Sequence, residues 1–418
     1  MDFNNFSNVS FIEKGINDLE KIIEHDRPYT RLVFSKEFYQ ARDWLTEQFN
    51  FLDLAISKDE AGNLIGLYKS KVKTDKVVII GSHIDTVPSG GRFDGIAGVV
   101  SALNVIKYIK ENNIDLPFNL AVYDYLGEEL NDWGISCIGS RGIAGVLNED
   151  ILSRIDSSGR VLSQEIDKIG GNSKLLNGPL PIIKNIIACL ELHIEQGKVL
   201  ENNKIDIGIV RSIPSISRYT VIISGQAGHS GTILMTQRAD ALVVASEIII
   251  FVNKLALKLS RKSNQHFVAT IGKINVYPNS AAIIPGLVEL TIDLRAVSKN
   301  SRDEFINTLE KKIISINEAS ECKATVKDIA YAPYVEMNKD LNVLFKNSSD
   351  YFGLSSNIMD SGAGHDTAQL ARVVPASMIF IPCKDGLSHC PEEFAEITDI
   401  AKGTAVLIKI ILNLINFK

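Results

Sequence analysis

Residues able to do chemistry gather in a few polar clusters that follow apolar runs. Gly81-Ser82-His83-Ile84-Asp85 comes after the run Val77–Ile80, and Gly90-Gly91-Arg92-Phe93-Asp94-Gly95 comes next, placing Asp94 eleven residues beyond His83. An imidazole ligates a metal through one nitrogen and needs its other N–H held by a carboxylate or carbonyl. Asp85, two positions on in an extended segment, points the same way as His83 and can be that partner. Glycines around Asp94 let the backbone turn closely about an ion. Glu128 and Glu129 end the run Phe118–Tyr125, Glu191-Leu192-His193-Ile194-Glu195-Gln196-Gly197 holds a second imidazole, and Ser388-His389 lies just past Ser377–Pro382. Of two neighbouring glutamates in extended backbone, one can bind a metal while the other faces a water. Three His, one Asp and one Glu are five N/O ligands, a set that suits two borderline divalent ions sharing a carboxylate.

Each cluster has a plainer reading when taken singly: Asp94 as the N-cap of a helix, the glutamates as solvated acids, the histidines as structural residues. Their recurrence at the ends of strand-like runs favours the metal. Of the seven histidines, His83, His193, His229 and His389 lie in polar or Gly-rich segments just beyond expected strands. His365 sits in Ser361-Gly362-Ala363-Gly364-His365-Asp366, while His25 and His266 have no such setting.

The elements that must position these clusters are legible in outline. Residues up to about Asn50 read as helical, and Leu52–Ser70 as a hairpin turning at Asp59–Asn63. Val77–Ile80, Phe118–Tyr125, Ile186–Ile194 and Ser377–Pro382 read as strands, with helices over about Gly95–Lys110, Asn338–Phe352 and from Thr398 onward. This alternation predicts an α/β fold with parallel strands and a site at their carboxyl edge. From about residue 212 the pattern changes to strand Tyr219–Ser224, helix Ala239–Leu259, strands His266–Val276 and Val288–Leu294, helix Arg302–Glu318 and strand Ala324–Ala330. That order is βαββαβ, an α+β sandwich inserted over 212–329 into a domain made of 1–211 and 330–418.

At 418 residues the chain is long enough for two or three domains. Its net charge of −6 argues against a nucleic-acid partner, which calls for a basic face. The apolar stretches Ala241–Leu259 and Val406–Phe417 are interrupted by Lys, Glu and Asn, so they read as packed amphipathic helices, not membrane spans. Five scattered cysteines without a CxxC pair read as reduced thiols. With no signal-like amino terminus, the expectation is a cytoplasmic protein.

The segments GSHIDTV and GGRFDG, GEE, ELHIEQG, GQAGHSGT, Pro278-Asn279, Asp293-Leu294-Arg295, SGAGHD and GLSHCPEE occur in an order that resembles the N-carbamoyl-L-amino-acid amidohydrolases, allantoate amidohydrolases and β-ureidopropionases. These form a branch of the zinc aminoacylase and carboxypeptidase superfamily, and the resemblance runs from about Asp75 to the carboxyl terminus. It implies a mixed-sheet catalytic domain with two divalent ions (zinc, or manganese, cobalt or nickel) and an inserted dimerisation or lid domain in a homodimer. Carried over, His83, Asp94 and His193 hold one metal, and Asp94, Glu129 and His389 the other. Glu128 becomes the general base and Asp85 the partner of His83. Gln196, His229, Asn279 and Arg295 become substrate contacts, with Gly362, Ala363 and Gly364 lining the pocket and His229 reaching the partner subunit's site. Arg295 has a fork suited to a carboxylate, and it could equally bridge acids in its sheet.

The implied reaction is hydrolysis of the ureido C–N bond of an N-carbamoyl-L-amino acid, with allantoate as the alternative substrate. A peptidase or aminoacylase is a further alternative, against which His193 counts, since the peptidase branch typically has a carboxylate there. The complete ligand set with Glu128 counts against a non-catalytic binding module. Two segments depart from the pattern: Leu130-Asn131-Asp132-Trp133 replaces the usual Gly-x-Arg-Phe, and Ser230-Gly231-Thr232-Ile233-Leu234-Met235 lacks the usual proline.

Overall fold

The computed structural model of the chain describes residues 2–263 and 266–415. Asn416 and Phe417, at the end of the apolar run Val406–Phe417, lie outside the described residues. The strands, in chain order, are β1 (Ala55–Lys58), β2 (Leu64–Tyr68), β3 (Val77–Ser82), β4 (Asn119–Asp124), β5 (Ile186–Ile194), β6 (Ile207–Ile213), β7 (Ser215–Ser224), β8 (Gly228–His229), β9 (Phe267–Tyr277), β10 (Ile283–Ile284), β11 (Leu287–Ala296), β12 (Lys323–Ala332), β13 (Val335–Glu336), β14 (Ser356–Asp360) and β15 (Ala376–Ile381). Two compact units result. One takes the residues up to Arg211, Glu336–Met359 and those from His365 onward; the other takes Ser212–Val335 and Asp360–Gly364.

The first unit is built on a mixed sheet of order β1-β2-β4-β3-β5-β15-β6-β13, with β14 also on β6. β3, β4, β5 and β15 are nearly continuous apolar runs, and burial on both faces is what parallel strands covered by helices require. β3 pairs in parallel with β4 and β5, and β15 in parallel with β5. Four adjacent strands therefore end on one edge, and the expected metal ligands lie at those ends or in the segments that follow them, Asp94 just before the helix Ile96–Glu111. The helix Ile96–Glu111 packs close to β3, because Gly98 has no side chain: a Cβ there would meet the Leu192 carbonyl at 2.4 Å and Ser82 Cβ at 2.6 Å.

A buried ion pair fastens the loop after β3. Arg42 Nε lies 2.6 Å from Asp124 Oδ2, with both side chains out of solvent. Arg42 also donates to the Gly62 carbonyl at 2.7 Å, and Asp124 Oδ1 accepts the Ile84 amide at 3.1 Å, so helix Lys36–Phe51, β4 and the His83–Asp85 loop share one knot. Asp124→Ala would leave a guanidinium buried and unpaired. We expect a loss of about 3–5 kcal/mol, read as a lower urea midpoint; an unchanged midpoint would show that the pair contributes nothing.

In the second unit the sheet is antiparallel, of order β12-β7-β11-β9. β7 and β11 alternate buried and half-buried residues, the signature of a sheet covered on one face. Helices Ala241–Ser263 and Lys299–Ala319 cover that face, with Phe305 and Leu309 of the second helix in one core with Val221, Ile223, Leu290 and Ile292 of the sheet. The expected limits of 212–329 need correction. β12 continues to Ala332 against β7, carrying the unit to Val335. Residues 360–364 also belong here and not with the 330–418 segment, since Asp360 accepts the Ser212 hydroxyl at 2.5 Å and Gly362 accepts Arg295 Nη1 at 2.8 Å. Among the described residues no helix is long and apolar enough to cross a membrane.

Candidate metal centre

The ends of the four parallel strands bring His83, Asp94, Glu129, His193 and His389 together. Ligand atoms of His83, Asp94 and His193 lie within 4.8 Å of one another, and so do those of Asp94, Glu129 and His389. Asp94 is common to both sets. Its Oδ1 is 2.9 Å from His193 Nε2 and 3.5 Å from His83 Nε2, and its Oδ2 is 3.2 Å from His389 Nε2. His389 Nε2 is also 3.2 Å from Glu129 Oε1.

The hydrogen bonds on the far side of each ring decide what these contacts mean. His83 Nδ1 lies 3.0 Å from the Asp85 carbonyl and His193 Nδ1 2.9 Å from the Ile194 carbonyl. A carbonyl only accepts, so each Nδ1 carries the proton and each Nε2 presents a lone pair to a carboxylate. Lone pair against carboxylate at these distances is repulsive unless a cation lies between them. His83 Nε2 is buried without a hydrogen-bond partner, and beside it Gly95, at φ +68°, leaves space that a Cβ would fill at 2.5 Å from that nitrogen. The residues present therefore fit divalent ions.

Electrostatics agree. Burial, with Glu129, Asp366 and Asp94, drives Glu128 well above its usual range against the pull of His83. Three carboxylates crowded into one dry pocket call for positive charge.

His193 lies inside β5, whose limits are those of the expected strand Ile186–Ile194. The structure corrects two expectations about detail. Glu128 and Glu129 lie beyond β4 in a turn entered through Gly127 at φ +58°, not in extended backbone. Asp85 holds His83 with its carbonyl, the carboxylate Oδ1 being 3.7 Å away; the carboxylate instead accepts the amides of Glu128 at 3.2 Å and Glu129 at 3.1 Å. Asp85 thus fixes the ring and the glutamate turn together.

Glu128 stands outside both ligand sets. Its Oε2 is 3.7 Å from His83 Nε2, and Oε1 accepts the Cys137 thiol at 3.4 Å. Gln196 donates to Asp94 Oδ2 at 2.7 Å and to Ser388 at 3.0 Å. Sequence reasoning missed Glu393, whose Oε1 accepts the amides of Phe93 and Asp94 at 2.7 and 3.0 Å and whose Oε2 accepts Ser388 at 2.7 Å. The PEE of GLSHCPEE was its signal. His365, also given no role, sets its ring 4.5 Å from that of His193, edge to face.

The remaining expected residues belong to the second unit. His229 is exposed on β8, and the Gly231 amide donates to its Nδ1 at 3.0 Å, which places the proton on Nε2 as an outward donor. Asn279 sits at φ +55° in the turn after β9. Arg295 bonds Asp293 through Nε at 3.0 Å as well as Gly362. Ala363 closes a turn on the Ser361 hydroxyl, and Gly364 follows it.

A family model described as peptidase family M20/M25/M40 matches residues 79–413. The chain belongs to this family. Among relatives, the N-carbamoyl-L-amino-acid amidohydrolase of Pseudomonas sp. (strain NS671) is 33% identical over 389 residues, 93% of each chain. The allantoate amidohydrolase of Bacillus subtilis (strain 168) is 32% identical over 390 residues, again 93% of each. The crystal structure of a hydantoinase/carbamoylase-family amidase from Burkholderia multivorans superposes with a TM-score of 0.86 at 30% identity, covering 97% of this chain and 98% of that one. The resemblance read from the sequence motifs is borne out, and so is the mixed α/β fold.

Proposed function

We propose that this chain is a metal-dependent amidohydrolase that cleaves the ureido C–N bond of N-carbamoyl-L-amino acids to amino acid, CO2 and ammonia. The observation that carries this is the pairing of two His/carboxylate ligand sets around Asp94 with a free carboxylate, Glu128, beside them. His83, Asp94 and His193 would hold one divalent ion, and Asp94, Glu129 and His389 the other. Bound there, such ions polarise a ureido carbonyl and lower the pKa of water towards ~7.

The chain's own residues supply the rest. Glu128 takes a proton from water and delivers it to the leaving nitrogen, a role suited to a carboxyl whose proton affinity burial has raised. Asp85 keeps the glutamate turn in place. His229 Nε2–H is the donor for the developing oxyanion, and family likeness assigns it to the site of the partner subunit in a homodimer joined through the Ser212–Val335 unit. Gln196 and Asn279 orient the ureido acid, Arg295 takes its carboxylate, and Gly362 to Gly364 line its pocket. The net charge of −6 favours a small-molecule substrate over nucleic acid, and we place the enzyme in the cytoplasm.

Allantoate is the second reading, favoured by the Bacillus subtilis relative. The discriminating experiment is ammonia release from N-carbamoyl-L-amino acids, β-ureidopropionate and allantoate, beside amino-acid release from dipeptides, with the metal-loaded enzyme. The proposal expects the highest kcat/KM on an N-carbamoyl-L-amino acid. Turnover of allantoate alone would select the second reading, and release of amino acids from dipeptides only would overturn both.

A further inference from the structure

The open face of the four-stranded sheet carries two arginines on one carboxylate. Asp293 accepts Arg218 Nε at 3.0 Å on Oδ2 and Arg295 Nε at 3.0 Å on Oδ1. Arg218 on β7 stands directly opposite Asp293 in the β7–β11 register, and Arg295 is two residues further along β11, so all three side chains project from the face that the helices leave uncovered. They are about equally half-buried, at 32, 29 and 29% exposure.

An arginine tethered through Nε keeps the Nη1/Nη2 side of its fork for a second anion. Arg295 has spent part of that side on the Gly362 carbonyl. Arg218 has spent none: among the described residues its Nη1 and Nη2 make no hydrogen bond, and its one ion pair is the Nε contact. A single carboxylate needs a single cation, and Arg295 already provides it. Ordering a second long, half-buried guanidinium on the same carboxylate costs side-chain entropy that Asp293 alone does not justify.

We propose that Arg218 is a specificity-determining residue that reads a second carboxylate, so that the preferred substrates are N-carbamoyl derivatives of acidic amino acids. Arg295 takes one carboxylate and the intact fork of Arg218 takes the other. This rests on the ureido-acid reading above and narrows it to a substrate class.

The test compares kcat/KM for N-carbamoyl-L-aspartate and N-carbamoyl-L-glutamate with that for N-carbamoyl-L-alanine and N-carbamoyl-L-leucine, in the wild type, Arg218→Gln and Arg218→Lys. The wild type should favour the acidic pair. In Arg218→Gln the acidic-to-neutral ratio should fall at least about tenfold, mainly through KM, with Arg218→Lys between the two. An equal loss on all four substrates would reduce Arg218 to a support for Asp293 and overturn the proposal, as would a wild-type preference for the neutral pair. A second readout separates this inference from its premise: thermal stabilisation by succinate relative to butyrate, present in the wild type and lost in Arg218→Gln. If it appears while no ureido acid yields ammonia, the two-carboxylate subsite stands and the ureido reading falls. If succinate stabilises both proteins equally or neither, the subsite is refuted.

Discussion

Replacing Glu128 with glutamine is expected to lower kcat by about 10²–10⁴-fold while leaving bound metal and KM nearly unchanged, the signature of a missing general base. Glutamine keeps the shape and cannot take a proton. Because Glu128 belongs to neither ligand set, and among the described residues its carboxylate meets His83 and the Cys137 thiol, the substitution disturbs no Asp94 contact. Ammonia release at saturating substrate, beside metal analysis of the same sample, checks this. Loss of metal, or retention of more than a few per cent of kcat, would move the base elsewhere.

Asp94→Asn should have the other large effect, because Asp94 is the residue common to both ligand sets. Its oxygens meet His83 and His193 on one side and His389 on the other. An amide offers one neutral oxygen where two anionic ones stood, so both ions should be lost and activity should fall to background. Glu129→Gln touches only the second set and should remove about one ion, leaving the other. Metal analysis of the purified variants distinguishes the two patterns. Equal, single-ion losses would mean that Asp94 does not bridge.

Much of this was readable because the chemistry sits where parallel strands end. A run such as Val77–Ile80 followed by Gly-Ser-His announces both the strand and the edge to which it delivers His83. What stayed hidden depends on loop backbone or on distant partners. Asp85 meets His83 through its carbonyl and not through the side chain that period-two alternation would align with the ring, and that choice of oxygen follows from the loop conformation. Glu393 braces the amides of Phe93 and Asp94 from three hundred residues away, and no local pattern links them. β6 escaped notice because Ile207–Ile213 falls where the hydrophobic pattern changes. The 360–364 segment looked like part of the surrounding α/β domain, because its attachment to the inserted unit runs through two tertiary contacts, Asp360–Ser212 and Gly362–Arg295.

Five residues spread over about three hundred positions are expected to form one dinuclear metal centre on which turnover depends. The most direct measurement is metal content per chain, by elemental mass spectrometry, taken alongside ammonia release before exhaustive chelation, after it, and after reloading with zinc, manganese, cobalt or nickel. The expected result is about two ions per chain, loss of activity with loss of metal, and recovery of both on reloading. Full activity in the stripped protein, or failure to bind any divalent ion, would contradict it.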